Sequence, residues 1–269
     1  MRKIFFLFIL LFTFCFTNKL KAQPPYLQRY DSIPVEINSQ LVLNPWAGGL
    51  NFVQLSTIDL NQDGILDLFA FDRTGNKIRT FINKGTPNQV DYHYAPEYES
   101  LFPTIHDWVV LRDFNGDGKV DIFSYSDTGG GFDVYKNISI SATGLQFVKI
   151  VTQQKSAYNP DSSPPVSCTL VAPCNLYVSP VDIPAIADLD NDGDLDIITF
   201  AITGTDMEYH QNQSMEMYGN ADSLIFKMRN RCWGHAAESS LTNVFTLHDT
   251  CYGNVVNPEI PTHPSSEIG

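Results

Sequence analysis

Asp59-Leu60-Asn61-Gln62-Asp63-Gly64-Ile65-Leu66-Asp67 sets out a nine-residue pattern, Asp-x-Asn/Asp-x-Asp-Gly-x-x-Asp. It returns as Asp113-Phe114-Asn115-Gly116-Asp117-Gly118-Lys119-Val120-Asp121 and as Asp188-Leu189-Asp190-Asn191-Asp192-Gly193-Asp194-Leu195-Asp196. Carboxylates packed this densely repel one another unless a cation sits among them. Oxygen ligands at positions 1, 3 and 5, with glycine at 6 for a sharp turn, suit a hard ion such as Ca²⁺. The backbone carbonyl at position 7 (Ile65, Lys119, Asp194) and the Asp at position 9 (Asp67, Asp121, Asp196) complete the expected shell. The bland alternative is a metal-free turn, because Asp, Asn and Gly favour turns anyway. Three copies in register weigh against it. The expectation is three calcium sites, structural rather than catalytic, since a protein-rich shell leaves little room for substrate.

The same head opens an EF-hand, so the two readings must be separated. An EF-hand loop needs a bidentate acid at position 12 and flanking helices. Here position 12 is Ala70, Ser124 or Thr199. The flanks, such as Phe52-Val53-Gln54-Leu55-Ser56-Thr57-Ile58 and Leu68-Phe69-Ala70-Phe71, are rich in aromatic and branched residues with partial alternation, which predicts strands. The same holds for Trp108-Val109-Val110-Leu111, Ile122-Phe123-Ser124-Tyr125 and Ile197-Ile198-Thr199-Phe200.

The repetition reaches beyond the loop. Four residues after its last Asp stands an aromatic: Phe71, Tyr125 or Phe200. Thr74-Gly75, Thr128-Gly129 and Thr203-Gly204 follow, and eight residues after each glycine comes Asn83, Asn137 or Asn212. Such agreement predicts one repeating unit: strand, calcium loop, strand, Thr-Gly turn, strand.

On these residues the unit resembles the FG-GAP/VCBS repeat, known from integrin α-subunit heads and many secreted bacterial proteins. The resemblance covers about residues 50–230. It implies an all-β fold in which each repeat is roughly one four-stranded blade of a β-propeller, with calcium between the first two strands. It implies no activity, since propellers host many unrelated functions.

Residues 1–22 read as a secretory signal: Met1-Arg2-Lys3, thirteen mostly apolar residues from Ile4 to Phe16, and a plausible cleavage site at Leu20-Lys21-Ala22. The apolar run is shorter than the ~20 residues of a membrane span, and Cys15, preceded by Phe14, makes a poor lipoprotein site. Cleavage would remove four positive charges (Arg2, Lys3, Lys19, Lys21) and no acids, turning the net charge of −13 into −17. Three Ca²⁺ would bring that to −11. Nucleic acid and anionic lipid are poor partners for such a chain. The four remaining cysteines, Cys168, Cys174, Cys232 and Cys251, suggest two disulfides in an exported protein, most simply 168–174 and 232–251, with the crossed pairings and free thiols open.

Along the chain, residues 23–50 read as a leader with one or two strands. Units follow over about 51–106, 107–155 and 182–230, interrupted by an insertion over 156–181. The insertion explains why the motif spacing grows from 54 (59 to 113) to 75 (113 to 188). Residues 231–269 hold Trp233, the second cysteine pair and a proline-rich end, Pro258 to Pro264. With three loops against the roughly four to eight blades of a propeller, the expectation is an incomplete propeller at the front of a longer protein. The six histidines (93, 106, 210, 235, 248, 263) form no catalytic pattern in sequence, and Gly129-Gly130-Gly131 reads as a hairpin tip. Tyr158, Tyr177, Trp233 and Tyr252, in or near the irregular segments, are either exposed aromatics for sugar rings or partner proteins, or residues that cover the edges of the blades. Two function classes follow. One is a non-enzymatic, calcium-stabilised, secreted or cell-surface module binding a protein or glycan, and the other is the propeller part of a secreted carbohydrate-active enzyme such as a polysaccharide lyase.

Overall fold

A computed structural model describes residue 30 and residues 33–158, 172–202, 204–239, 242 and 244–247. The expected signal segment, the centre of the insertion, Cys168, Thr203, Cys251, Tyr252 and the proline-rich end lie outside these residues. The chain divides into a unit ending at Trp46 and one beginning at Ala47. In the first, β1 (Glu36–Ile37) and β2 (Gln40–Leu41) form a two-residue hairpin. Asn38 and Ser39 take left-handed φ values of 51° and 61°, matching the twist of such a turn.

The second unit is all-β, built of antiparallel meanders. β3 (Val53–Ile58), β4 (Asp67–Asp72), β5 (Lys77–Asn83) and β6 (Tyr92–Tyr94) pair in chain order as one four-stranded sheet. β7 (Val109–Arg112), β8 (Asp121–Tyr125), β9 (Phe132–Asn137) and β10 (Phe147–Val151) make the next. After β11 (Lys155–Ala157) and β12 (Cys174–Asn175) comes a third meander of β13 (Ala185–Ala187), β14 (Asp196–Phe200), β15 (Met207–Asn212) and β16 (Phe226–Asn230). A hairpin of β17 (Ala236–Glu238) and β18 (Phe245–Leu247) follows. Each acidic loop joins the first strand of a sheet to the second, as blades of FG-GAP type require.

Alternation drives the sheets together. One face of the second sheet gives Val109, Leu111, Ile122 and Tyr135 to a core shared with Ile58, Phe69 and Phe71 of the first. Its opposite face gives Phe123, Val134 and Phe132 to a core shared with Ile186, Ile197 and Phe226 of the third. β8 and β9 are accordingly buried on both faces along most of their length, polar residues such as Asp121, Ser124 and Asp133 included. The first strands of neighbouring sheets are also tied by polar contacts. The Gln54 amide donates to Val109 O (3.0 Å) and accepts from Val109 N (3.1 Å), while Arg112 Nε donates to Ile186 O (3.3 Å).

The insertion over 156–181 is not irregular throughout. Its mouth is sheet: β11 pairs in parallel with β16, and β12 pairs with β11, giving six strands. The reason is the outer edge of β16, whose open backbone groups would otherwise face water. The glycine triplet lies at the tip of the β8–β9 hairpin, as expected. Gly129 and Gly130 turn with positive φ, but Gly131 is needed for close approach, because a Cβ there would lie 2.8 Å from Asn175 Oδ1 and 3.2 Å from the Leu176 carbonyl.

Phe69 is fully buried, its ring 4.8 Å from that of Phe102. Phe69→Ala is expected to cost about 3–5 kcal/mol of stability, read from urea unfolding. Val90→Ala, at an exposed position, should change it by less than about 0.5 kcal/mol.

Candidate metal centres

The three loops share one backbone path. Position 6 is left-handed in all of them (Gly64 φ 83°, Gly118 φ 82°, Gly193 φ 102°), as is position 4 (Gln62 φ 62°, Gly116 φ 70°, Asn191 φ 62°). These turns fold each loop around its own side chains. Asp59 accepts the amides of Asp63 (3.2 Å) and Gly64 (2.9 Å), and Asp113 those of Gly116, Asp117 and Gly118 (2.9, 3.2 and 2.8 Å). Asp188 accepts that of Gly193 (3.2 Å). The carboxylate at position 5 accepts the amide at position 7 each time: Asp63 from Ile65 (2.8 Å), Asp117 from Lys119 (2.9 Å), Asp192 from Asp194 (3.0 Å).

The Asp at position 9 begins the second strand and has no solvent exposure in any copy (Asp67, Asp121, Asp196). One oxygen accepts the amide of position 2, from Leu60 (2.8 Å), Phe114 (3.1 Å) or Leu189 (3.1 Å). The other accepts the amide of the recurring asparagine that ends the third strand, Asn83 (2.8 Å), Asn137 (2.7 Å) or Asn212 (2.8 Å). Asn83 and Asn137 also donate through their side chains to Leu66 O and Val120 O (3.1 Å each), clamping loop to third strand. The sequence displayed this asparagine without its purpose.

Burial carries an electrostatic cost. It raises the carboxyl of Asp67, and pushes Asp121 to about 6 and Asp196 to about 7, against the ordinary 3.8, with amide hydrogen bonds opposing and neighbouring loop acids adding to the rise. Burial likewise raises Asp192, and Asp194 to about 6.

The donor set fits a hard cation. Buried oxygens without a hydrogen-bond partner include Asn115 Oδ1, Asp190 Oδ1, Asp192 Oδ2 and Asp194 Oδ1; such atoms are costly unless something positive meets them. Among the described residues, groups of three carboxylates close enough to share an ion occur at the third loop and the helix beside it. Asp188, Asp190 and Asp196 have oxygens within 4.8 Å of one another, and so do Asp190, Asp192 and Glu216. In the first two loops position 3 is an amide, Asn61 or Asn115, beside acids at 1, 5 and 9. Asp194, expected to act through its carbonyl, also has a wholly buried side chain, which accepts the Met215 amide (3.0 Å). Glu216 was invisible to the repeat pattern: it lies on α1 (Ser214–Tyr218), a short helix outside the repeated positions.

A second polar constellation lies at the insertion. Ser156 Oγ is 2.9 Å from His210 Nδ1, and His210 Nε2 is 3.5 Å from Glu208 Oε2. Ser156 and His210 have no solvent exposure, so no substrate reaches the hydroxyl in this conformation. Tyr158 packs edge-on against His210, with ring centroids 5.9 Å apart. Tyr158, Tyr177 and Trp233 are all half-buried rather than exposed, which favours the covering role over an open aromatic surface.

The family described as FG-GAP-like repeat matches residues 59–124, from the start of the first loop to the strand after the second. The chain therefore carries an FG-GAP-type repeat there, and the third unit shares its geometry beyond the matched stretch. No curated protein matches, and no solved structure does.

The raised carboxyls make a signed prediction for the metal-free chain. The folded state holds protons on Asp121 and Asp196 more tightly than the unfolded state, so their contribution is complete below about pH 4 and is lost as pH rises through about 6 and 7. Asp72, Asp91 and Asp133, whose folded values are lowered, change in the opposite sense only near and below the ordinary 3.8. In chelator the melting temperature should fall between pH 5 and pH 8, and Asp196→Asn should flatten the upper part of that fall. Stability that holds level or climbs over this range would contradict the account.

Proposed function

We propose that this chain is a secreted, calcium-stabilised β-propeller-type module that binds an extracellular protein or glycan without catalysing a reaction. One observation carries the reading. Three times, the same left-handed turns set carboxylates at positions 1 and 5, an oxygen donor at position 3 and a buried carboxylate at position 9 along a loop that closes one blade, and in the third copy oxygens of Asp188, Asp190 and Asp196 lie within 4.8 Å of one another. The ligands would be Asp59, Asn61, Asp63 and Asp67; Asp113, Asn115, Asp117 and Asp121; Asp188, Asp190, Asp192 and Asp196. The carbonyls of Ile65, Lys119 and Asp194 would complete the shells.

Calcium would supply the positive charge that lets position 9 stay ionised while buried. The FG-GAP-type repeat at 59–124 supports the propeller-type assignment. The reading of residues 1–22 as an export signal agrees with millimolar extracellular calcium as the source, and with disulfides at 168–174 and 232–251. Cys174 and Cys232 are described, whereas Cys168 and Cys251 are not. A binding role is favoured over hydrolysis because the Ser156–His210–Glu208 set is enclosed. Among the described residues no helix is long and apolar enough to cross a membrane.

Calorimetric melting in chelator and in rising calcium tests the metal. Each site filled at tenfold over its Kd should add about 1.4 kcal/mol of stability. Three sites would therefore move the transition by many degrees, and an unmoved transition would dispose of the calcium reading.

A further inference from the structure

The third loop is more acidic than the other two. Asp59, Asp63 and Asp67 are the carboxylates of the first loop, and Asp113, Asp117 and Asp121 those of the second, where Lys136 Nζ approaches Asp117 at 3.7 Å. The third gathers Asp188, Asp190, Asp192, Asp194 and Asp196, and α1 adds Glu216. One divalent ion would leave a net charge of −1 on the first loop and, with Lys119 counted, 0 on the second, but −3 on the third, or −4 once Glu216 is included.

The carboxylates of the third unit also divide into two overlapping groups rather than one. Oxygens of Asp188, Asp190 and Asp196 lie within 4.8 Å of each other, as do oxygens of Asp190, Asp192 and Glu216, with Asp190 common to both. A Ca²⁺ with ligands at 2.3–2.6 Å holds opposite oxygens about 4.6–5.2 Å apart, so each group matches the span of one ion.

Unsatisfied atoms point the same way. Asp190 Oδ1 and Asp192 Oδ2 are buried and lack hydrogen-bond partners. Asp194, wholly buried, also keeps Oδ1 without a donor. The competing explanation is that the Gln211 amide alone reconciles the acids, since its Nε2 donates to Asp190 Oδ2 (2.5 Å) and Glu216 Oε1 (2.7 Å). One amide group cannot serve four carboxylates, and the three oxygens named above remain unmatched. Gln211 acts instead as a positioning residue: Arg229 Nε donates to its Oε1 (2.6 Å), which fixes the amide with its NH₂ toward the acids.

We propose that the third unit holds a second divalent cation, in a position formed by Asp190, Asp192 and Glu216 beside the loop's own site, with Asp190 and Asp192 bridging the two. This rests on the calcium reading of the loops and goes beyond it. The ion would pin α1 to the loop, a link the first two units lack.

The test is isothermal titration of the full, metal-depleted chain with CaCl₂, repeated on Glu216→Gln. The expected stoichiometry is four ions for the native chain and three for the variant. Glu216 is exposed, so the variant should melt like the native chain in chelator. Three ions in the native chain would overturn the second position while leaving the loops' own sites standing. Four ions in both chains would overturn the role of Glu216, and no binding at all would sink the reading beneath it as well.

Discussion

The structure depends on an aspartate with nowhere to go. At position 9 of each loop the carboxylate lies out of reach of water and is held by two backbone amides, one from its own loop and one from the end of the third strand. That single side chain fixes the loop over the strand it enters and ties it to the end of the next strand. Hydrogen bonds to an ionised acceptor are worth more than neutral ones, but burial works against ionisation. A cation bound in the loop, as proposed, would remove that conflict, and the three units repeat the arrangement because each has to close its own first turn.

Between units the adhesive is different. Aromatic and branched residues on both faces of the second sheet make it the filling between the other two. Polar side chains then satisfy backbone groups that the meanders leave open. Arg73 reaches across to the carbonyls of Asp107, Pro180 and Val181, and Trp108 donates to Ser179 O. These contacts tie the stretch before β13 to the turns of the earlier sheets, so the irregular segment is anchored at its far end as well as at β11.

The loops, their flanking strands and the Asn at the end of each third strand were legible in the sequence because they recur at fixed spacing. What recurs once only was not. Glu216 belongs to a helix with no counterpart in the other units, so no register could expose it. The parallel pairing of β11 with β16 joins residues some seventy apart, and two short strands carry too little periodicity to announce themselves. His210 looked like any isolated histidine, because Ser156 is brought to it by β11 from far away in the chain, while Glu208 stands two residues before it on β15. The half-buried state of Tyr158 follows from its place beside the same residue: of the two roles open to an aromatic next to an insertion it takes the covering one, against His210.

The paired mouth of the insertion has an evolutionary meaning. Lys155 and Ser156 are matched to Asn175 and Cys174, so both ends of the intervening chain are fixed before its middle is considered. Lengthening a segment whose ends are already fastened costs little, since closure entropy grows only with the logarithm of length. Sequence there can be gained, lost or exchanged without shifting the alignment of any blade, which makes it the natural port through which relatives of this protein would diversify.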